Sequence, residues 1–277
     1  MSERIANVFF RLLYWYISKM DKKSDITFMN YGYSKGSHEI ALHEIDKKNK
    51  YPAQLYDYVA NNVDIKGKDV LEVGCGRGGG LSYINRYLSP KTVTGLDLNS
   101  RAIKFCKKNY SGEKNTFLQG NAQLLKFESN SFDVVINVES SHRYNQMSKF
   151  LEEVYRVLRP GGYLLLADFR VQDQIAILNE RLRNANFKVV TTEIITPNVL
   201  EALMLSSGET EKLIKKIAPK FMQGIGKKFA ATEGTPTFNK FVSHEFEYLF
   251  FVLTKTPAFR LETRQETRDK RQEKRNL

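Results

Sequence analysis

The sequence predicts an α/β protein built around a doubly wound, mostly parallel sheet. Between residues 68 and 186, short apolar segments alternate with stretches of helical periodicity, an order that is typical of βαβ units. The runs FDVVINV and YLLLAD are apolar almost throughout, as expected for strands that helices cover on both faces. A chain of 277 residues can bury one large core, or one core with an appendage.

The chain before residue 68 has a different pattern. ITFMNYGYSKG at 26–36 predicts an aromatic loop, and YPAQLYDYVANNVDI at 51–65 predicts a helix. Leu55, Tyr58 and Val59 give that helix one apolar face.

Seven strands are predicted from residue 69 onward. Five of them alternate with helices, and the last two flank a helical block at 198–230. The strands are predicted at 69–73, 92–97, 115–118, 132–138, 162–168, 187–195 and 244–255, and the helices between them at 79–88, 100–109, 146–158 and 172–186.

These patterns divide the chain into five parts. They are an N-terminal helical and aromatic cap, a ligand-binding core, a helical lid insert, the last core strand and a charged tail. Their predicted ranges are 1–66, 67–196, 197–243, 244–256 and 257–277.

The segment at 4–20 is apolar and aromatic but is interrupted by Arg11 and closed by Lys19. It is too short and too interrupted to span a bilayer comfortably, and no cleavage site for a secretory signal follows it. Two interpretations stay open. One is an interfacial helix in peripheral contact with a membrane, and the other, which we favour, is a helix packed over a hydrophobic site of the protein.

Cysteine content and charge restrict the class of protein. The two cysteines, Cys75 and Cys106, form no disulfide framework, so we expect a reduced, cytoplasmic protein. A net charge of +12 suits an anionic partner such as nucleic acid, a membrane surface or an acidic small molecule. Much of the excess lies in lysine-rich segments, so a solvated face is the simpler explanation.

Five glycines lie between the first strand and the next helix, in DVLEVGCGRGGGLSYI at 69–84. Because glycine has no Cβ, a ligand can approach the backbone amides where a helix starts. The spacing Gly74-x-Gly76-x-x-Gly79 also matches the dinucleotide fingerprint, which is weak by itself. We expect a nucleotide-like ligand here; the alternative is a tight strand–helix turn that binds nothing.

Asp97 ends the second predicted strand, in VTGLDLNS. A carboxylate at this position suits the vicinal hydroxyls of a ribose, and its alternative role is to cap the following helix. NAD and S-adenosylmethionine both contain such a ribose. The glycines and Asp97 therefore leave both cofactors open.

Three further segments distinguish an NAD site from an S-adenosylmethionine site. Glu72 precedes the glycines, a small Gly120-Asn121-Ala122 turn leads to the fourth strand, and an amphipathic helix runs into Arg159-Pro160-Gly161-Gly162 before the fifth. Proline and paired glycines stop that helix and return the chain to the sheet.

With these segments in order, the chain resembles the class I S-adenosylmethionine-dependent methyltransferases. The motifs that carry the resemblance are LEVGCGRGGG, GLDL, GNA, FDVVINV and VLRPGGYLLL. FMNYGY, NVESSHRY and RVLRPGGYLLLADFR resemble more closely the phthiotriol/phenolphthiotriol dimycocerosates methyltransferases, which O-methylate a long-chain lipid alcohol. The resemblance implies a Rossmann-like, seven-stranded sheet with an antiparallel last strand, and S-adenosyl-L-methionine as the cofactor of residues 67–196.

The resemblance also implies roles for residues at the methionine end of the cofactor. Glu72, Gly74 and Gly76 are expected to line it, with the loop amides facing the carboxylate. Asn137 and Val138, at the end of the fourth strand, are expected beside the methionine portion.

At the nucleoside end, the resemblance places Asp97 on the ribose hydroxyls and Leu98 on the adenine. Asn121 and Ala122 are expected at the adenine edge. Many relatives have aspartate where this chain has Asn121, and an amide oxygen can still accept a hydrogen bond there without the charge. Tyr31 and Tyr33 are candidates to close over the donor through cation–π attraction to the sulfonium, or else to pack within the cap.

The candidate general base is His142, just past the fourth strand in NVESSHRY. Methyl transfer to a neutral alcohol requires removal of a proton, and an imidazole titrates near neutral pH. Glu139 is the second candidate, and a structural loop histidine is the alternative for His142. His38, His43 and His244 have no metal-ligand spacing, so no metal is expected.

We expect a hydrophobic acceptor such as a lipid, polyketide or similar small molecule. The N-terminal segment and the insert should form a lid over the carboxyl edge of the sheet, and its apolar residues should shape a tunnel: Phe9, Leu13, Leu203, Met204 and Phe221. Three alternatives stay open, namely a nucleic-acid methyltransferase, a sterol-type C-methyltransferase and a non-catalytic membrane-tethering module. Nucleic acid is not expected, because no motif of adenine or cytosine methylases and no RNA-binding module is present.

Overall fold

The computed structural model describes Asp21 and residues 25–36, 40–110 and 112–256. The apolar segment at 4–20, with Phe9 and Leu13, lies outside the described residues, as do His38 and the tail at 257–277.

Seven strands and nine helices are present in the described part of the chain. The strands are β1 Asp69–Val73, β2 Thr92–Asp97, β3 Asn115–Gln119, β4 Phe132–Val138, β5 Leu158–Val171, β6 Phe187–Ile194 and β7 Phe246–Lys255. The helices are α1 Glu44–Lys47, α2 Lys50–Ala60, α3 Gly79–Tyr87, α4 Ser100–Asn109, α5 Met147–Val157, α6 Gln172–Asn184, α7 Thr196–Ile217, α8 Lys220–Phe229 and α9 Pro236–Val242, and a short 3-10 turn spans Ser141–Arg143.

The strands form one sheet in the order β3-β2-β1-β4-β5-β7-β6. Neighbours from β3 to β5 run parallel, whereas β7 lies antiparallel between β5 and β6. The strand order reverses between β1 and β4, and doubly wound sheets bind ligands outside the carboxyl ends of the strands at such a point. The predicted Rossmann-like sheet with an antiparallel last strand is confirmed.

Strand β5 is longer at both ends than the predicted 162–168. A bulge between the pairs Phe132–Leu158 and Val134–Tyr163 accommodates the Arg-Pro-Gly-Gly segment within the strand. At the other end, β5 continues to Val171, which pairs with Phe246. The antiparallel neighbour offers backbone groups beyond the end of β4, which local sequence does not reveal.

The helical insert consists of three helices rather than one block. Ala218 is extended, and Pro219 begins α8 as its N-cap, which fits proline's fixed φ and missing N–H. The short helix α9 was not predicted. The sequence Thr235-Pro236 is a helix start signal, because threonine caps helices and proline suits the first turn. In the structure, the Thr235 hydroxyl accepts a hydrogen bond from the Phe238 amide.

Two hydrophobic cores lie on opposite faces of the sheet. One joins α2, α3 and α4 to helices α7 and α9 of the insert, and includes Leu55 and Val59 as predicted. The other packs α5 and α6 on the sheet, with Phe150 and Leu182 among its buried residues. Apolar residues on both faces explain why β4 and β5 lack the alternation of a half-exposed strand.

The N-terminal loop and the insert contact each other directly. The Ser34 amide donates to the Asn198 carbonyl at 3.1 Å, and the Asn198 amide group donates back to the Ser34 carbonyl at 2.8 Å. Lys216 pairs with Asp25 at 2.7 Å. Within the described ranges, no helix is both long enough and apolar enough to cross a bilayer.

Candidate active site

The glycine loop between β1 and α3 is shaped mostly by contacts within the protein. A Cβ at Gly74 would lie 2.3 Å from the Ser140 hydroxyl, and one at Gly80 would lie 1.9 Å from the Tyr56 ring. Gly76 differs, because its nearest neighbour would be the Met29 sulfur at 3.7 Å. Packing within the protein therefore leaves no room for a ligand at the Cα atoms of four of the five glycines. Only Gly76 leaves room on its Cα for one.

Asp97, at the end of β2, binds the glycine loop through a hydrogen bond. One carboxylate oxygen accepts from the Gly76 amide at 2.8 Å and the other from the Asn99 amide at 2.7 Å. Burial raises the pKa of Asp97, and these two amides oppose that rise. Each oxygen keeps a second lone pair for a hydroxyl donor. Asn99, rather than Asp97, caps α4.

Glu72 lies beneath the loop in β1 and is fully buried. Its Oε1 accepts from the Tyr56 hydroxyl at 2.5 Å. Burial raises its pKa to about 7, and the Tyr56 hydroxyl opposes this. Oε2 has no hydrogen-bond partner among the described residues.

Asn137 joins the ends of β1 and β4. Its amide nitrogen donates to the Val73 carbonyl at 2.8 Å and to the Ser140 hydroxyl at 2.7 Å, and lies 3.1 Å from the Tyr144 hydroxyl. Its buried Oδ1 has no partner within the described part of the chain. Val138 is buried beside it, so the predicted positions at this strand end are adjacent.

The expected adenine region lies at the ends of β2 and β3. Leu98 is 52% exposed, although Ala122 is buried. The side-chain oxygen of Asn121 accepts from the Gln123 amide at 2.9 Å, which forms a local turn. The amide group of Asn121 is therefore the part that stays available to a base edge.

Glu139 adopts φ 45° directly after β4, an uncommon conformation for a residue with a side chain. Its Oε1 accepts from the Tyr31 amide at 2.7 Å and from the Tyr248 hydroxyl at 3.0 Å. Burial raises its pKa to about 8, with a further contribution from the Asp168 charge. At neutral pH, the Glu139 carboxyl is therefore protonated in a large fraction of the protein molecules.

His142, which follows the end of β4, forms a pair with Asp168 of the neighbouring strand β5. Its Nδ1 lies 2.7 Å from Oδ1 of Asp168, and its backbone amide donates to Oδ2 at 2.8 Å. Because an ionised carboxylate only accepts, Nδ1 carries the proton and Nε2 is left with a lone pair. Burial lowers the pKa of His142, so the neutral imidazole predominates at neutral pH.

Arg170 and Ser141 hold Asp168 in its charged form. Arg170 pairs with the carboxylate at 3.1 Å, and the Ser141 hydroxyl donates to it at 2.6 Å. Burial opposes ionisation, but His142 and Arg170 together keep the pKa of Asp168 well below its usual range. All three residues are buried. The dyad is therefore fixed in position by charged hydrogen bonds.

An aromatic cluster surrounds the dyad. The Phe169 ring lies 4.4 Å from His142 and 5.6 Å from Tyr31. Phe241 of α9 and Phe246 of β7 pack on Phe169 at 5.7 Å and 5.3 Å. The insert thus brings apolar side chains to the edge of the sheet where His142 lies.

The structure separates the two tyrosines of FMNYGY. Tyr31 reaches the aromatic cluster, whereas Tyr33 stacks on Tyr58 at 4.3 Å. Two tunnel candidates are also placed elsewhere, because Met204 is 52% and Phe221 83% exposed, whereas Leu203 is buried. The expectation that Met204 and Phe221 shape an interior tunnel is wrong.

Asp168, Tyr248 and Tyr56 are among the site residues that were missed from sequence. Asp168 ends the predicted fifth strand in YLLLAD, and polar residues at the carboxyl end of a central strand are a usable signal. Tyr248 and Tyr56 offer no such signal, because each acts through a distant partner.

The hydrogen-bond acceptors that remain available at the ends of β1, β2 and β4 fit S-adenosylmethionine. The orphaned oxygens of Glu72 and Asn137 can accept from an ammonium group, and Asp97 can accept from ribose hydroxyls. The fold and this arrangement define a class I S-adenosylmethionine-dependent methyltransferase.

Comparison with known proteins narrows this class. A family model described as Methyltransferase domain matches residues 71–166. The fatty-acid O-methyltransferase of Mycolicibacterium smegmatis is 40% identical over 82% of this chain and 83% of its own. The phthiotriol/phenolphthiotriol dimycocerosates methyltransferase of Mycobacterium tuberculosis is 37% identical over 87% of this chain and 91% of its own. The chain belongs to the family of methyltransferases that these two relatives represent, and it is an S-adenosyl-L-methionine-dependent enzyme.

Solved structures share the fold at low sequence identity. The [4+2]-cyclase SpnF matches with a TM-score of 0.65 and 17% identity, over 93% of this chain and 98% of its own. Geranyl diphosphate C-methyltransferase from Streptomyces coelicolor matches with a TM-score of 0.61 and 14% identity, over 86% and 93%. Since one neighbour is a cyclase, the fold does not define the reaction.

Proposed function

We propose that this methyltransferase transfers the methyl group to a hydroxyl oxygen of a lipid or a similarly hydrophobic small molecule, with His142 as the general base. The observation that carries this proposal is the 2.7 Å contact between His142 Nδ1 and Asp168. It leaves Nε2 as the basic nitrogen, at the strand ends where the cofactor class binds.

When bound, the cofactor would supply an electrophilic methyl group on a sulfonium, whose sulfur leaves as a neutral thioether when the carbon–sulfur bond breaks. Gly76 and Glu72 would hold its methionine end, and Asp97 its ribose. The His142 imidazole accepts the hydroxyl proton at Nε2 as the oxygen attacks, and Asp168 stabilises the resulting imidazolium. Because Asp168 stays ionised, the imidazole keeps the tautomer that this step needs.

The hydrophobic acceptor is supported by the wall of Tyr31, Phe169, Phe241 and Phe246 around the dyad. An apolar wall with few polar groups suits a small hydrophobic ligand better than a nucleic acid, whose phosphates need exposed cations. The names of the relatives, a fatty-acid and a phthiotriol-lipid methyltransferase, support the same class of acceptor.

A carboxyl group is the second candidate for the accepting oxygen. One relative is named a fatty-acid O-methyltransferase, and a carboxylate attacks without losing a proton. In that case His142 is not needed as a base. The protonated Glu139 carboxyl, whose Oε1 already accepts two hydrogen bonds, can donate from Oε2 to the acceptor carboxylate.

The test uses the full-length protein with S-adenosylmethionine that carries a deuterated methyl group. A long-chain alcohol, the fatty acid of the same length, a sterol and a short RNA are offered separately, and products are identified by mass spectrometry. We expect a labelled methyl ether from the alcohol. A labelled ester alone would establish the carboxyl acceptor, and a labelled carbon or RNA base would overturn O-methylation.

A further inference from the structure

The lid helices α7 and α8 expose apolar side chains that the active site does not use. Phe221 is 83%, Leu205 56% and Met204 52% exposed. No residue of α8 is buried. Single exposed apolar residues are common, but several on two neighbouring helices indicate an interaction surface.

These side chains lie on the outward faces of the two helices. On α8, Phe221 and Ile225 are one turn apart, and the exposed Lys220 and Lys228 flank them. On α7, the exposed Lys215 lies one turn after Glu211.

The two helices pack side by side, and the edge of α7 that carries Glu211 and Lys215 lies next to α8. Lys227 of α8 pairs with Glu211 of α7 at 2.7 Å, and a Cβ on Gly226 would lie 3.1 Å from Ile214. We call this surface the lid face and define it by the exposed residues Lys215, Lys220, Phe221, Ile225 and Lys228.

The lysines of the lid face indicate which kind of partner this surface binds. Lys215, Lys220 and Lys228 form no ion pair with any residue that the structure describes. Unpaired lysines around exposed aromatic and aliphatic side chains complement an anionic lipid surface, because the headgroups attract the charge and the interface takes up the apolar groups. A nucleic acid would satisfy the lysines but leave Phe221 and Ile225 in water.

We propose that the lid face docks on the surface of an anionic lipid bilayer. Helix α9 packs against both α7 and α8, and its Phe241 lies 5.6 Å from Tyr31 in the aromatic cluster. The lid face and the aromatic cluster of the proposed acceptor site therefore belong to one packed set of helices, α7, α8 and α9. Membrane binding through the lid face is separate from the apolar segment at 4–20.

The test is co-sedimentation of the full-length protein with vesicles of phosphatidylcholine, alone or with a third phosphatidylglycerol. One variant combines Lys215→Gln, Lys220→Gln and Lys228→Gln, and a second is Phe221→Ser. The controls are Lys104→Gln, Lys107→Gln and Lys108→Gln combined on α4, and Ile177→Ser, an exposed apolar residue of α6 on the opposite face of the sheet. Thermal unfolding and S-adenosylmethionine binding check that each variant is folded.

We expect binding to anionic vesicles only, and loss of that binding with rising salt. The triple lid-face variant should bind about a hundredfold more weakly, Phe221→Ser about tenfold more weakly, and the controls as the wild type does. Equal weakening by the control variants would overturn the proposal, as would unchanged binding of both lid-face variants. Binding to RNA but not to vesicles would also overturn it. Since no methyl acceptor is present, the result does not depend on the proposed reaction.

Discussion

The Tyr56 hydroxyl of α2 donates a hydrogen bond to the buried Glu72 of β1 over 2.5 Å. The same tyrosine ring fills the space that a Cβ on Gly80 would need. One side chain from the N-terminal cap therefore supports both the acidic residue and the glycine loop of the cofactor site.

Replacing Tyr56 with phenylalanine should remove the hydrogen bond and keep the ring. Because Glu72 is then left buried without this donor, we expect the free energy of unfolding to fall by about 1–3 kcal/mol. Urea unfolding of the protein without cofactor measures this. Tyr58→Phe is the matched control, since its hydroxyl donates to the surface residue Glu193 at 2.6 Å. Equal losses in both variants would show that burial of Glu72 is not the cause.

Alanine substitution at Gly80 and at Gly208 should change the stability of the protein in opposite directions. Gly80→Ala forces a methyl group into the Tyr56 ring, so we expect a loss of about 1–3 kcal/mol or more. Gly208, in α7, has no atom within 4 Å of its added Cβ, so Gly208→Ala should stabilise the protein by about 0.5–1 kcal/mol. Thermal unfolding compares the two. A tolerated Gly80→Ala would contradict the packing argument.

Asp97 should bind the cofactor through its carboxylate. Asp97→Asn keeps the shape but replaces a charged acceptor for the ribose hydroxyls, so S-adenosylmethionine should bind more weakly by roughly 1.5–3 kcal/mol in calorimetry. Asp64→Asn, an exposed aspartate outside the site, serves as the control. NAD should give no comparable heat. Unchanged affinity in Asp97→Asn would remove this residue from the site.

His142 and Asp168 should act as one unit in the proposed reaction. We expect His142→Ala to lower turnover of a hydroxyl acceptor by about 10²–10⁴-fold with cofactor affinity nearly intact. Asp168→Asn should also lower turnover, and the double variant should lose little more than the worse single one. His244→Ala is the control, because the exposed His244 forms a similar 2.8 Å pair with Glu247. Wild-type turnover in His142→Ala would make the histidine structural.

The Glu139 carboxyl should make stability depend on pH. Its pKa rises from 4.5 to about 8 on folding, so the folded protein keeps a proton that the unfolded chain releases. This contribution to stability is present at low pH and is lost as the pH rises towards 8. Between pH 5 and 8, the stability difference should move in favour of Glu139→Gln by about 1–3 kcal/mol.

Urea unfolding at several pH values measures this effect. Glu209→Gln is the control, because Glu209 is exposed on α7. Parallel pH profiles for wild type and Glu139→Gln would mean that Glu139 is ionised throughout.

The local sequence pattern was sufficient to predict most of the secondary structure. The bounds of β1, β2 and β4 agree with the predicted ranges, because strands that are apolar on both faces contrast sharply with the polar turns around them. The extension of β5 to Val171 was not predictable in this way. It depends on pairing with β7, which is about 80 residues away along the chain.

The sequence by itself determined the sheet, the glycine loop, Asp97 and the positions of Glu139 and His142 at one strand end, because these features depend on short-range pattern and on motif order. Only the tertiary structure decided what each side chain contacts. It paired His142 with Asp168, moved Tyr33 away from Tyr31, and assigned the space around Gly74 and Gly80 to Ser140 and Tyr56. Contacts between distant segments are selected by packing and by burial of charge, and neither leaves a local trace in the sequence.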